Sequence, residues 1–181
     1  MDIKHGGFKV AISGVRGSGK TSLLMDLVKA LRNHGLAVKG VLEWGIFEGD
    51  KKVAIEVLDL AVEESRILAR LAEEMTTDLQ FGDWTFFPDT FDWANERLMK
   101  VDTADVFILD EVGPLELDQG KGLQAGLAVM STRAYRMGIM TIRPKCLEMV
   151  YDLFPNIMVY SMSKWEKETL LNELLRIALS I

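Results

Sequence analysis

The sequence predicts an α/β layer fold: a mostly parallel sheet flanked by helices, with a β-hairpin insertion. Three observations predict it. Short apolar runs rich in β-branched residues alternate with segments of helical spacing. A glycine-rich turn joins the first apolar run to the first helical segment. Gly49-Asp50 separates two extended stretches, as a hairpin turn would.

In chain order, Phe8 to Ser13 is a buried strand and Gly14 to Gly19 the glycine-rich turn. Thr21 to His34 is a helix with Leu23, Leu24, Leu27, Val28 and Leu31 on one face, stopped by Gly35. Leu36 to Leu42 is a strand, and Trp44 to Phe47 pairs with Val53 to Leu58 across the hairpin. Glu64 to Glu74 fits strand or helix, and Trp84 to Phe87 is extended. Pro88 or Asp89 opens a helix to about Lys100. Val106 to Leu109 is a second fully apolar strand, broken after Asp110-Glu111 by Gly113-Pro114. A helix over Lys121 to Met137, a strand over Ile139 to Ile142, a helix from Pro144, a strand over Ile157 to Tyr160 and an amphipathic helix over Ser163 to Leu179 complete the chain.

The 181 residues suit one domain, and neither a repeat nor a linker interrupts them. Apolar residues make up 49%, enough to fill a core. A net charge of -6 argues against a surface built for nucleic acid or acidic lipid. The single cysteine, Cys146, supports neither an internal disulfide nor a cysteine zinc site. Met1 to Gly7 is polar and lacks a signal core, and no apolar run reaches the roughly 18 residues of a membrane span. A cytoplasmic protein is expected.

Gly14-Val15-Arg16-Gly17-Ser18-Gly19-Lys20-Thr21 matches G-x-x-x-x-G-K-[ST], the P-loop. Glycines let the backbone curl around phosphate oxygens and turn its N–H groups inward. The helix that follows, with Ser22 in its first turn, offers its positive end to the same anion. Lys20 supplies a charge for the β- and γ-phosphates, and the Thr21 hydroxyl suits Mg²⁺. The loop follows a buried strand and opens an amphipathic helix, the context the motif requires. A nucleoside triphosphate such as ATP or GTP, with Mg²⁺, is the expected ligand.

Asp110-Glu111 ends an apolar strand, and parallel strands turn their C-terminal ends toward the ligand crevice. Asp110 is expected to hold Mg²⁺ and Glu111 to activate the attacking water. Arg143 follows another strand and is a candidate γ-phosphate contact. Trp84, Phe86, Phe87, Phe91 and Trp93 form an aromatic cluster, expected mainly in the core, with a lid or partner surface as the alternative. Glu63-Glu64 and Glu73-Glu74 are expected on solvated faces.

The chain resembles the THEP1-like nucleoside-triphosphatases, P-loop NTPases with a RecA-like sheet. The resemblance is carried by Ser13 to Leu24 (SGVRGSGKTSLL), by Leu109 to Leu117 (LDEVGPLEL), and more loosely by Lys39 to Leu60. It implies Mg²⁺-dependent hydrolysis of nucleoside 5′-triphosphates with broad base tolerance. It assigns Lys20 and Thr21 to phosphate and metal, and Asp110 and Glu111 to metal and water. Glu116 matches the acid of the extended signature, in a catalytic or a structural role. Many members carry an Asn-Arg pair after the last core strand, near the nucleobase; this chain has Ser161-Met162-Ser163-Lys164-Trp165-Glu166 instead.

Two other functions share the motif. A nucleotide-dependent switch or accessory protein would use the hairpin and aromatic cluster to meet a protein partner. A small-molecule phosphotransferase would need to exclude water, and the sequence shows no arginine-rich lid segment.

Overall fold

The computed structural model describes residues 7–71, 79–132 and 134–181. Its strands form one sheet in two halves. The first half contains β1 (Phe8–Ser13), β2 (Val38–Glu48), β7 (Ala104–Val112), β8 (Tyr135–Ile142) and β9 (Met158–Ser161). These run parallel in the order β2-β7-β8-β1-β9. The second half is an antiparallel wing built outward from β2 by β3 (Lys51–Asp59), β4 (Glu64–Leu71), β6 (Trp84–Phe86) and the short β5 (Gln80–Phe81).

Alternation along the central strands explains the layers. Val10 and Ile12 of β1 and Val106 and Ile108 of β7 face one side, where they pack with Leu23, Leu27 and Leu31 of α1 (Lys20–Asn33) and Leu170 and Leu174 of α6 (Lys167–Ser180). Ala11, Phe107 and Leu109 face the other side. There they join α2 (Pro88–Met99), α4 (Gln124–Ser131) and α5 (Leu147–Leu153), through Phe91, Leu98, Met130 and Val150. Strands buried on both faces need continuous apolar sequence, which is why VFIL reads as a core strand. Each fully buried Leu or Phe contributes on the order of 1.5–3 kcal/mol.

The C-terminus of α1 shows local sequence fixing geometry. Gly35 has φ 76°, the Gly35 N–H donates to Arg32 O, and the Leu36 N–H donates to Leu31 O at 3.1 Å. This left-handed cap satisfies two end carbonyls and turns the chain into β2.

The hairpin is as expected, with Gly49-Asp50 at its tip between β2 and β3. It is the first part of the wing rather than an isolated insertion. Glu64 to Leu71 is a strand; the rest of that ambiguous stretch, including Glu73-Glu74, lies outside the described residues.

The expected helix over Lys121 to Met137 is corrected. The helix is only Gln124–Ser131, and Tyr135 onward belongs to β8. Gly122 at φ 70° delays the start, and the Thr132 hydroxyl caps the Val129 carbonyl at 2.7 Å. β8 lies between β1 and β7, so pairing on both edges overrides its local helical preference. The last helix starts at Lys167 rather than Ser163. Trp165 therefore lies in the preceding turn, edge-on to Tyr160 with ring centres 5.3 Å apart.

Candidate active site

The loop between β1 and α1 takes the shape its glycines allow. Gly17 and Gly19 have φ of 77° and 88°, a region other residues rarely adopt. A Cβ at Gly14 would strike the Ser18 hydroxyl. Lys20 is buried and its ammonium donates to the loop's own carbonyls, Gly14 O at 3.1 Å and Val15 O at 3.3 Å. The Ser18 hydroxyl is buried and lacks a hydrogen-bond partner among the described residues. An unsatisfied hydroxyl in a glycine-rich loop at the start of a helix fits a phosphate oxygen. Val15 itself is exposed, and the Ser22 hydroxyl accepts from Lys167 Nζ at 2.6 Å, which ties α6 to the start of α1.

Asp110 is fully buried at the centre of the site. One carboxylate oxygen accepts from the Thr21 hydroxyl at 2.8 Å and the Glu43 N–H at 3.2 Å. The other accepts from the Thr141 hydroxyl at 2.5 Å and the Glu111 N–H at 3.0 Å. Burial, then the neighbouring Glu111 charge, raises its pKa to about 6, against the hydroxyl bonds that favour the ionised form.

Glu111 follows in a strained conformation, with φ 57° at a bulge where the β7–β8 register shifts. Left-handed backbone in a non-glycine residue costs about 1–3 kcal/mol and needs support. The support is the Glu111 N–H, which donates to Thr141 Oγ1 at 2.8 Å. The bulge turns the carboxylate away from the strand, to 3.9 Å from Lys20 Nζ and about one-third exposed (33%).

Glu116 has a structural place. Its carboxylate accepts from the Gly113 N–H at 3.0 Å and the Leu123 N–H at 3.2 Å, which closes the loop after β7 and joins α3 (Pro114–Leu117) to the start of α4. Burial raises its pKa. Glu116→Ala would leave two N–H groups unpaired, so a stability loss of about 1–3 kcal/mol is expected, with Glu116→Gln milder. Urea denaturation measures both; equal, negligible losses would count against this place.

A cleft of about 910 Å³ extends from the loop toward the wing. Glu111, Glu116 and Arg143 line it together with two residues the sequence reading did not single out, Glu43 and Lys52. Burial and the neighbouring Glu116, Glu111 and Asp110 push the Glu43 carboxyl well above the usual range. Burial, then Arg16, lowers the Lys52 ammonium. Glu43 leaves a trace in the sequence as a lone acid ending the apolar Val41-Leu42, and Thr141 as a lone hydroxyl inside β8. Trp84, Phe86 and the largely buried Phe91 of the aromatic cluster also line the cleft, while Trp93 is buried away from it. On the other flank, Met162 packs close to Gly14.

A glycine loop between a central strand and a helix, with a buried lysine and a strand-end aspartate meeting the helix hydroxyl, defines a P-loop protein of the nucleotide-binding class. The profile of a family described as NTPase matches residues 9–175. The chain belongs to that family. Its curated relatives include Nucleoside-triphosphatase THEP1 of Methanopyrus kandleri, 33% identical over 60% of this chain and 59% of the relative. THEP1 of Methanocaldococcus jannaschii is 28% identical over 62% and 66%, and that of Ignicoccus hospitalis 31% identical over 67% and 68%. The chain thus spans less than two thirds of the length of the first two. Among solved structures, a human cancer-related nucleoside triphosphatase superposes with a TM-score of 0.75 at 21% identity, covering 96% of this chain and 98% of that one. THEP1 from Aquifex aeolicus gives 0.69 at 17%, covering 94% and 99%. At such identities the likeness is one of fold. Proteins of this kind generally use a divalent metal. No described helix is long and apolar enough to cross a membrane.

Proposed function

We propose that the chain hydrolyses nucleoside 5′-triphosphates, ATP and GTP among them, to the diphosphate and phosphate with Mg²⁺. The observation that carries this reading is the bulge that aims Glu111 at the Lys20 ammonium, 3.9 Å away. A carboxylate there lies beside the terminal phosphate of any triphosphate held by the loop.

The roles divide by chemistry. Loop N–H groups between Val15 and Ser22, apart from that of Ser18, which Val15 O holds, grip the β- and γ-phosphates with the Lys20 ammonium, and Lys20 exchanges its loop carbonyls for them. Thr21 and Asp110 fit a Mg²⁺ ion, a hard cation that takes one or two protein oxygens and keeps phosphate and water ligands. When bound, Mg²⁺ neutralises charge on the β- and γ-oxygens. Glu111 accepts a proton from water as its oxygen bonds to the γ-phosphorus. The bond to the β–γ bridging oxygen breaks, and its electron pair leaves with the diphosphate. Arg143 at the end of β8 stabilises the equatorial oxygens. A reducing compartment such as the cytoplasm suits the single buried thiol of Cys146.

Phosphate release from ATP, GTP, CTP and UTP, with and without Mg²⁺, tests the proposal against Lys20→Ala. Mg²⁺-dependent release is expected in the native chain and loss of it in the variant. Nucleotide binding without phosphate release by the native chain would sink the hydrolase reading.

A further inference from the structure

We infer that the wing half of the cleft is a binding site for a second small molecule, one that carries a flat aromatic ring and an anionic group. A nucleoside monophosphate has this chemistry. The inference rests on the proposed placement of a triphosphate in the loop, and goes beyond it.

Direction comes first. Asp110 and Thr21 mark the metal-bearing, terminal-phosphate end of the loop, on the β7 side. The nucleoside of a bound triphosphate must lead away from them, toward β9 and the Met162 turn. No residue after Arg143 lines the cleft among the described residues. The cleft therefore opens beyond the terminal phosphate, opposite the nucleoside. Hydrolysis needs one water there, whereas the cleft, about 910 Å³ with the part over the loop included, runs on from the loop to the wing.

The walls specify that ligand. Phe81, Trp84, Phe86 and Ile55 form the apolar portion. Three further cations line the cleft, Arg16 on the loop itself, Lys52 on the wing and Arg143 after β8. None of the three has a carboxylate within ion-pair distance among the described residues. Arg16 and Lys52 rest instead on the Trp84 ring, 6.0 Å and 5.4 Å from its centre. Cation–π contacts of this kind are weak at exposed sites, so an anion in the cleft draws both cations off the ring and frees its face for stacking.

The fold builds this arrangement deliberately. The Lys52 stem crosses the β2 backbone at Gly45, where a Cβ would lie 2.6 Å from Lys52 Cε. The glycine leaves room for the Lys52 stem in this pose. Glu43, on the same strand, offers a carboxyl oxygen from the cleft wall to a ring amino group or a hydroxyl.

Calorimetry on the full chain, saturated with Mg²⁺ and the β,γ-imido analogue of ATP, tests the site. AMP, GMP, CMP and UMP are titrated singly, with inorganic phosphate as the ringless comparison. At least one monophosphate is expected to bind once per chain, about tenfold or more tighter than phosphate. Trp84→Ala and Lys52→Ala should each weaken it by about tenfold, with Trp84→Phe and Lys52→Arg retaining most of the affinity; thermal melts confirm that the variants fold. The inference is overturned if no monophosphate binds, if the alanine variants bind as the native chain does, or if the monophosphates displace the imido-nucleotide. Phosphate release without any monophosphate is read separately, so the hydrolase proposal and this one fail independently.

Discussion

Glu111→Gln is expected to slow phosphate release by about 10²–10⁴-fold, the usual worth of a positioned general base, while Mg²⁺-nucleotide affinity stays within a few-fold of native. Glutamine keeps the size and the hydrogen-bonding capacity of the side chain but cannot take a proton from water. The Glu111 backbone is fixed independently of its carboxylate, through the N–H bonds to Thr141 and Asp110, so the bulge survives the change. Single-turnover release with a labelled γ-phosphate, beside equilibrium binding of the imido-nucleotide, separates chemistry from binding. A variant that hydrolyses at the native rate would remove Glu111 from the reaction and leave water activation to the phosphate itself or to another group.

The second large effect is on the fold. Gly40→Ala is expected to cost at least about 4 kcal/mol, in the range reserved for severe structural lesions, and to lower Tm by about 8–16 °C for a chain of this size. Gly40 has φ 114°, and a Cβ there would run into the Ile108 carbonyl oxygen, with Ile108 C and N 2.8 Å away. Both are backbone atoms of β7, so no rotamer change relieves the clash. Gly40 pairs with Ile108 in the parallel register and its carbonyl accepts the Leu60 N–H at 2.9 Å. The substitution therefore pries β2 from β7 two residues before Asp110. A calorimetric melt of Gly40→Ala within a few degrees of native would mean that the sheet yields more easily than close backbone packing allows.

The parts of the site legible in the sequence are those whose geometry is local. The loop from Gly14 to Thr21 is a contiguous motif between its own strand and helix, and Asp110-Glu111 stands where an apolar run stops. What stayed hidden depends on partners remote in sequence. Glu43 meets Asp110 across 67 positions, and Thr141 meets it across 31. Lys52 of β3 lies against Gly45 of β2, a contact made only across the hairpin. Strand order was hidden for the same reason: nothing local tells β8 to insert between β1 and β7, and the same insertion turns Tyr135–Met137 from apparent helix into strand. The resemblance left Glu116 open between two roles. Its carboxylate accepts from the Gly113 and Leu123 N–H groups and also lines the cleft, contacts invisible in the motif alone.

β2 belongs to both halves of the molecule. Its first residues, Val38 to Val41, pair with β7, and from Val41 onward it pairs with β3 of the wing. Just past the handover, the Glu43 N–H is held by the same Asp110 oxygen that receives the Thr21 hydroxyl. The strand is thus a single bar shared by the two halves and pinned at Asp110. One stretch of chain joins the aromatic wall to the carboxylate that meets the loop's threonine.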